Sequence, residues 1–136
     1  MSPLVALHAL SAIVACLLGA WQLIALRRGL RHRALGYTWM LAMLVTALSS
    51  FGLRSPLGFD WLGGLSPIHG LSLFTLLSLA LAIRYARRRD FANHRRWVVG
   101  AYSGLLGAGV FAVAVPGRDL NRLLFTELPL ALASAF

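Results

Sequence analysis

Long uncharged stretches alternate with short arginine-bearing ones along this chain. The uncharged windows run Met1–Leu26, Ala34–Leu53, Trp61–Ile83 and Trp97–Gly117. A helix that crosses a bilayer needs roughly 20 apolar residues, and every window reaches that length. The windows therefore predict four spanning helices, over about 3–26, 34–53, 66–86 and 95–115, with connections too short to hold a second domain. The expected fold is all-α: an integral-membrane four-helix antiparallel bundle occupying 1–136 as a single domain. The first window lacks a basic leader and its apolar run is too long for a cleaved signal peptide.

Local signals agree with these limits. Ser2-Pro3 and Ser66-Pro67 each offer an N-cap followed by proline at the first helical position. Gly29 is placed to end the first helix, and Pro116-Gly117 to stop the fourth. Ser55–Ser66 is turn-rich. In the tail, 117–136, Asp119 can cap a short surface helix carrying Leu120, Leu123, Leu124 and Leu128 on one side.

Composition sharpens the class. Hydrophobic residues make up 59% of the chain and charged ones 12%, against about 45–50% and about 25% in soluble domains. A soluble or disordered protein is excluded. The net charge of +9 comes from thirteen basic residues, all of them arginine. Ten of the thirteen fall in the first and third connections: Arg27, Arg28, Arg31 and Arg33, then Arg84, Arg87, Arg88, Arg89, Arg95 and Arg96. Arg54, Arg118 and Arg122 lie on the other side, balanced by Asp60, Asp119 and Glu127. The positive-inside rule places the basic connections in the cytoplasm and both termini outside. The arginines then contact lipid phosphate, not nucleic acid.

The chain also repeats itself. His8, His32-Arg33 and Arg54 in the first half are matched by His69, His94-Arg95 and Arg118 in the second, at nearly equal intervals. The halves read as two helical hairpins. His8 and His69 precede Arg27 and Arg87 by almost the same stretch of chain. In a helix that stretch places them about 27–28 Å above the inner basic belt. His32 and His94 both open a helix at the inner level. All four histidines thus form two depth-matched pairs.

A histidine within a span is costly and marks a functional site by default, although a capping or snorkelling role serves as well for any one of them. Two imidazoles facing each other without thiolate or carboxylate do not make a zinc or di-iron site. They suit the axial positions of a haem, whose macrocycle supplies four further nitrogens. On this reading His8 with His69 and His32 with His94 are the iron ligands of one or two non-covalent b-type haems. Arg54, Arg118, Arg33 and Arg95 would pair with haem propionates. Small residues beside the ligands (Ala12, Ala15 and Gly19; Gly36; Ala101) admit a flat macrocycle, while Gly100, Gly104 and Ala108 read as a helix-packing stripe.

Other residues take quieter roles. The lone Cys16 excludes disulfides and covalent haem attachment and reads as an inert core thiol. Trp21, Trp39, Trp61 and Trp97, with Tyr37 and Tyr85, read mostly as aromatic belts. No acidic pair within a span offers acid–base chemistry, so no catalytic residue is expected.

His32-Arg33-Ala34-Leu35-Gly36, with Trp39, resembles the inner-turn signature of a bacterial membrane family called domain of unknown function 2306. Arg88-Arg89-Asp90, His94-Arg95-Arg96-Trp97 and Tyr102 resemble its second signature, and Arg118 looks like its arginine after the last helix. The resemblance covers roughly Ala6–Arg122 and departs at Tyr37 and Gly100, where arginine is expected. It implies the fold and a bacterial inner-membrane location. The layout also resembles the two-haem transmembrane cytochromes of the b561 type, by architecture alone. The expected function is electron transfer across or within the membrane, with a quinone or a redox protein as partner. The alternative is a non-catalytic membrane protein without cofactor that binds a lipid, a hydrophobic ligand or a protein. A homo-oligomer fits either reading.

Overall fold

A computed structural model describes residues 2–25, 29–53, 67–116 and 118–134. Its long helices are α1 (Pro3–Ile24), α2 (Leu30–Ser50), α3 (Pro67–Arg87) and α4 (Phe91–Ala114). The tail forms α5 (Asp119–Arg122), a π-helical turn (Leu123–Glu127) and α6 (Leu128–Ser134). Among the described residues there is no strand. Three of the long helices are long and apolar enough to cross a membrane: Pro3–Ile24, His69–Arg87 and Phe91–Ala114. α2 is of similar length, but Arg31, Arg33 and its polar positions keep it out of that group.

α1 packs on α2 and α4, and α3 packs on α2 and α4. Sequential helices run antiparallel. The start of α1 meets the end of α2 through His8 and Ser49, while Gln22 meets His32 at the opposite end. α3 and α4 are matched the same way through Leu71 and Gly104, and through Ala82 and His94.

Burial is inverted relative to a water-soluble domain. Ala15, Ala82, Ala101 and Ser78 are fully buried, whereas Leu10, Leu17, Ile24 and Val110 are largely exposed. Small residues let helix backbones approach where lipid tails remove the hydrophobic drive between helices, and the large apolar side chains face the tails instead. The core is α2-centred: Trp39, Ala42 and Met43 pack with Ala15, Leu79 and Ala101.

The helix ends show where local hydrogen bonding overrides charge. Ser2 caps α1, its hydroxyl accepting from the Val5 amide at 3.3 Å. Gly29 corrects the sequence reading: Ala25 closes α1, and Gly29, at φ +106°, precedes the first turn of α2 instead. α2 and α4 begin one turn ahead of the apolar spans assigned to them, because a helix's hydrogen bonds continue through arginines that reach the aqueous boundary. Ser66 and Gly117 lie outside the described residues.

The turn between α3 and α4 is compact. The Asp90 amide donates to the Tyr85 carbonyl and the Arg89 amide to the Ala86 carbonyl, the double closure of a Schellman ending. Arg89 takes the left-handed position at φ 59°, where glycine is usual. In the tail, the Leu128 amide reaches back to the Leu123 carbonyl. Pro129, next in the chain, accounts for this wider turn, since its ring would meet the Phe125 carbonyl in an ordinary α-helix. The helix continues to Ser134 with its leucines exposed.

Candidate functional site

At the arginine-rich end, the compact turn fixes His94. Asp90 caps α4, its carboxylate accepting from the Asn93 amide at 3.1 Å and from the Asn93 side chain at 2.7 Å. The His94 amide then makes the first helical bond to the Asp90 carbonyl at 3.0 Å. The His94 ring is anchored across the hairpin, with Nδ1 2.9 Å from the Ala82 carbonyl oxygen. A carbonyl only accepts, so Nδ1 is the donor, and in the neutral ring Nε2 is the nitrogen with the free lone pair.

His32 comes from the first turn of α2. Its backbone carbonyl accepts from Gln22 of α1 at 2.9 Å. Its ring meets that of His94 with centroids 6.5 Å apart and planes at 79°. His32 Nδ1 is buried with no hydrogen-bond partner among the described residues. Residues from different hairpins are thus brought edge to face.

At the far end the second pair is arranged around the end of α2. His8 Nδ1 lies 2.9 Å from the Ser49 hydroxyl, and Thr46 and Ser11 continue this polar cluster. His69 is 4% exposed, with its ring 5.8 Å from that of Phe51. His8 and His69 therefore flank neighbouring residues at the end of α2, Ser49 and Phe51. The arginines are dispersed. Arg33 and Arg95 are exposed, Arg118 lies 5.4 Å over the Phe111 ring, and Arg54 falls outside the described residues.

Two features of the interior escaped the sequence reading. His69, Ser72, Thr75 and Ser78 form a buried polar ladder down α3, and Ser50 and Ser72 share a hydroxyl contact at 2.6 Å. Thr75 and Ser78 donate to the carbonyls one turn earlier, so each is satisfied within its own helix. The spacing of polar side chains at every third position in an apolar helix is the signal that would have revealed the ladder. The second is Trp39, read as part of an aromatic belt. It is 2% exposed at the centre of the core, with its indole nitrogen unpartnered among the described residues. Gly19 makes room for it, since a Cβ there would come within 2.7 Å of that nitrogen and 2.6 Å of Tyr102. Tyr102 in turn donates to the Cys16 carbonyl at 3.1 Å.

The bonds from Asn93, side chain first and amide second, hold the Asp90 carboxyl below its ordinary range, with burial opposing weakly. A carboxyl lowered in the folded state contributes stability above its unfolded pKa, and that stability is lost as pH falls through the folded one. Protection of the Asn93 amide from hydrogen exchange is therefore expected to decline on acidification below the normal carboxylate range. In Asp90→Asn protein this acid dependence should disappear.

Among the described residues, no three His, Cys, Asp or Glu side chains gather into a metal-binding group. A metal held entirely by protein ligands does not fit these donors. A macrocyclic metal complex needs only two axial donors. Imidazole nitrogens bind metals at roughly 2 Å, which places two rings on opposite sides of one ion with centres roughly 6 Å apart. The His32–His94 centroid separation is of that order, and their edge-to-face arrangement would have to turn for both ring nitrogens to address one ion.

Neither the curated proteins nor the solved structures include a match to this chain. A family model described as predicted membrane protein (DUF2306) matches residues 5–131, including both arginine-rich turns and all four histidines. The chain therefore belongs to the DUF2306 family of predicted membrane proteins.

Proposed function

We propose that this protein is a four-span membrane electron carrier of two hairpin repeats, holding b-type haem between His32 and His94, with His8 and His69 as a second ligand pair. The observation that carries the reading is the meeting of His32 and His94, with the His94 tautomer set by the Ala82 carbonyl. Such a carbonyl partner orients a ligating imidazole and raises its basicity. The Nδ1 of His32, which has no partner among the described residues, is a polar atom of that ring still available to a ligand. His32 and His94 would hold the haem, which when bound would supply a one-electron couple. Arg33 and Arg95 stand at the level of the inner pair and would neutralise propionates there.

α2 as the fourth span is supported by where its polar groups lie. Ser49 and Ser50 are buried, so these two hydroxyls face protein and not lipid, while Arg31 and Arg33 are exposed in the first turns. The arginine distribution supports a cytoplasmic position for both short turns and an outside position for the termini, in a bacterial inner membrane. A quinone or a redox protein would be the exchange partner.

The test is an absorption spectrum. Protein produced with ample haem and purified in mild detergent is expected to show a Soret band that shifts on reduction. A helical, monodisperse and colourless preparation would refute the proposal and favour a cofactor-free membrane protein.

A further inference from the structure

We propose that a groove between α3 and α4 at the arginine-rich end is a binding site for one anionic phospholipid. The groove has a volume of about 330 Å³ and is lined by Phe74, Tyr85, Asn93, Arg96, Trp97 and Gly100. This lies near the lower limit of ligand pockets, roughly 300–1,000 Å³. It can take a head group and the first part of an acyl chain, with the remainder lying along the exposed apolar face in the bilayer.

The lining is graded. Tyr85, Asn93 and Arg96 belong to the last turn of α3 and the first turns of α4, beside the compact connection. Gly100 lies two turns beyond Asn93, about 10 Å further along the helix. The Phe74 and Trp97 rings stand 6.4 Å apart. A Cβ at residue 100 would lie 3.7 Å from Phe74, so glycine leaves the deep part of the groove open. A cation with two hydrogen-bonding side chains at the boundary and an aromatic floor below matches an amphiphile with a negative head.

Charge decides among the lipids. Among the described residues the lining contains one cation and no carboxylate, so the guanidinium finds its counter-charge in the phosphate of an anionic head, whereas a zwitterionic head brings an ammonium of like sign close to it. Asp90, the carboxylate of the adjoining turn, is engaged by Asn93. Arg84, Arg87, Arg89 and Arg95 add positive potential around the mouth. A free phosphate would leave the apolar half of the groove unused, which favours the lipid as the source of the anion.

The full chain, stripped of lipid in detergent and re-lipidated with phosphatidylglycerol or phosphatidylcholine, is analysed by native mass spectrometry. One phosphatidylglycerol is expected to remain bound where phosphatidylcholine does not. Arg96→Gln should weaken its binding about fivefold, from roughly 1 kcal/mol per surface arginine. Gly100→Leu, which fills the groove without removing charge, should weaken it as well. Arg88→Gln is the control, since Arg88 is exposed in the turn and does not line the groove. Equal loss in Arg88→Gln and Arg96→Gln would overturn the proposal, because diffuse attraction would then suffice. So would unchanged binding in Gly100→Leu together with displacement of the lipid by millimolar inorganic phosphate.

Discussion

If haem is held at both histidine pairs, as proposed, His94→Ala is expected to remove the one at the arginine-rich end and to erase one of two steps in a redox titration. The substitution deletes the ring anchored on Ala82 and leaves His32 facing no partner of its kind. One axial imidazole does not retain a b-type haem as two do, so haem content should fall by about half, with the far-end step unchanged. His8→Ala should remove the other step. The two potentials should differ, because the exposure of the arginine-rich end lowers a potential while the positive charge there raises it. Haem content and both potentials unchanged in His94→Ala would show that the arginine-rich end holds no haem. The His-Arg pairs would then serve only as lipid contacts.

Trp39→Ala should be the most damaging single truncation of the fold. Trp39 is among the largest fully buried side chains and packs against both hairpins through Ala15 of α1 and Leu79 and Ala101 of the second pair. In water-soluble cores such a truncation costs about 3–5 kcal/mol, combining lost transfer from water with the cavity left behind. Between helices in lipid the transfer part largely vanishes, because tails are as apolar as the core. The expected cost is thus roughly 2–3 kcal/mol, mostly lost packing, read as a lowered midpoint of denaturant unfolding in micelles. Trp39→Phe should cost clearly less, since it keeps an aromatic plate and removes a buried donor that has no partner among the described residues. Equal losses in the two variants would mean that the indole nitrogen has a partner when the protein is in its membrane.

Much of this was legible in the linear pattern because membrane insertion is close to a sum over residues. A run such as Pro3–Ile24 is apolar whichever neighbour it meets, so helix number and approximate extent follow from hydropathy and from arginines such as Arg27 and Arg87. The spacing of His8, His32, His69 and His94 was equally plain, since rise per residue converts sequence distance into depth. Helix ends were read less well. Gly29 and Arg89 were misplaced or overlooked because a terminus is set by which carbonyls find donors, and the charge-free windows do not encode that.

An all-helical membrane protein, its family, the uneven arginines and the two levels of histidine all follow from the linear chain. The side of each helix that faces inward does not; it emerges only when the helices pack. Lipid and protein interior are similarly apolar, so hydropathy does not distinguish a core tryptophan from one in a belt. Helix rotation is chosen by close packing of small residues and by polar groups seeking partners. That choice buried Trp39 against Gly19, turned the polar face of α3 inward, and opened the groove beside Arg96. It also brought His32 to 6.5 Å from His94 while leaving His8 on Ser49 and His69 beside Phe51.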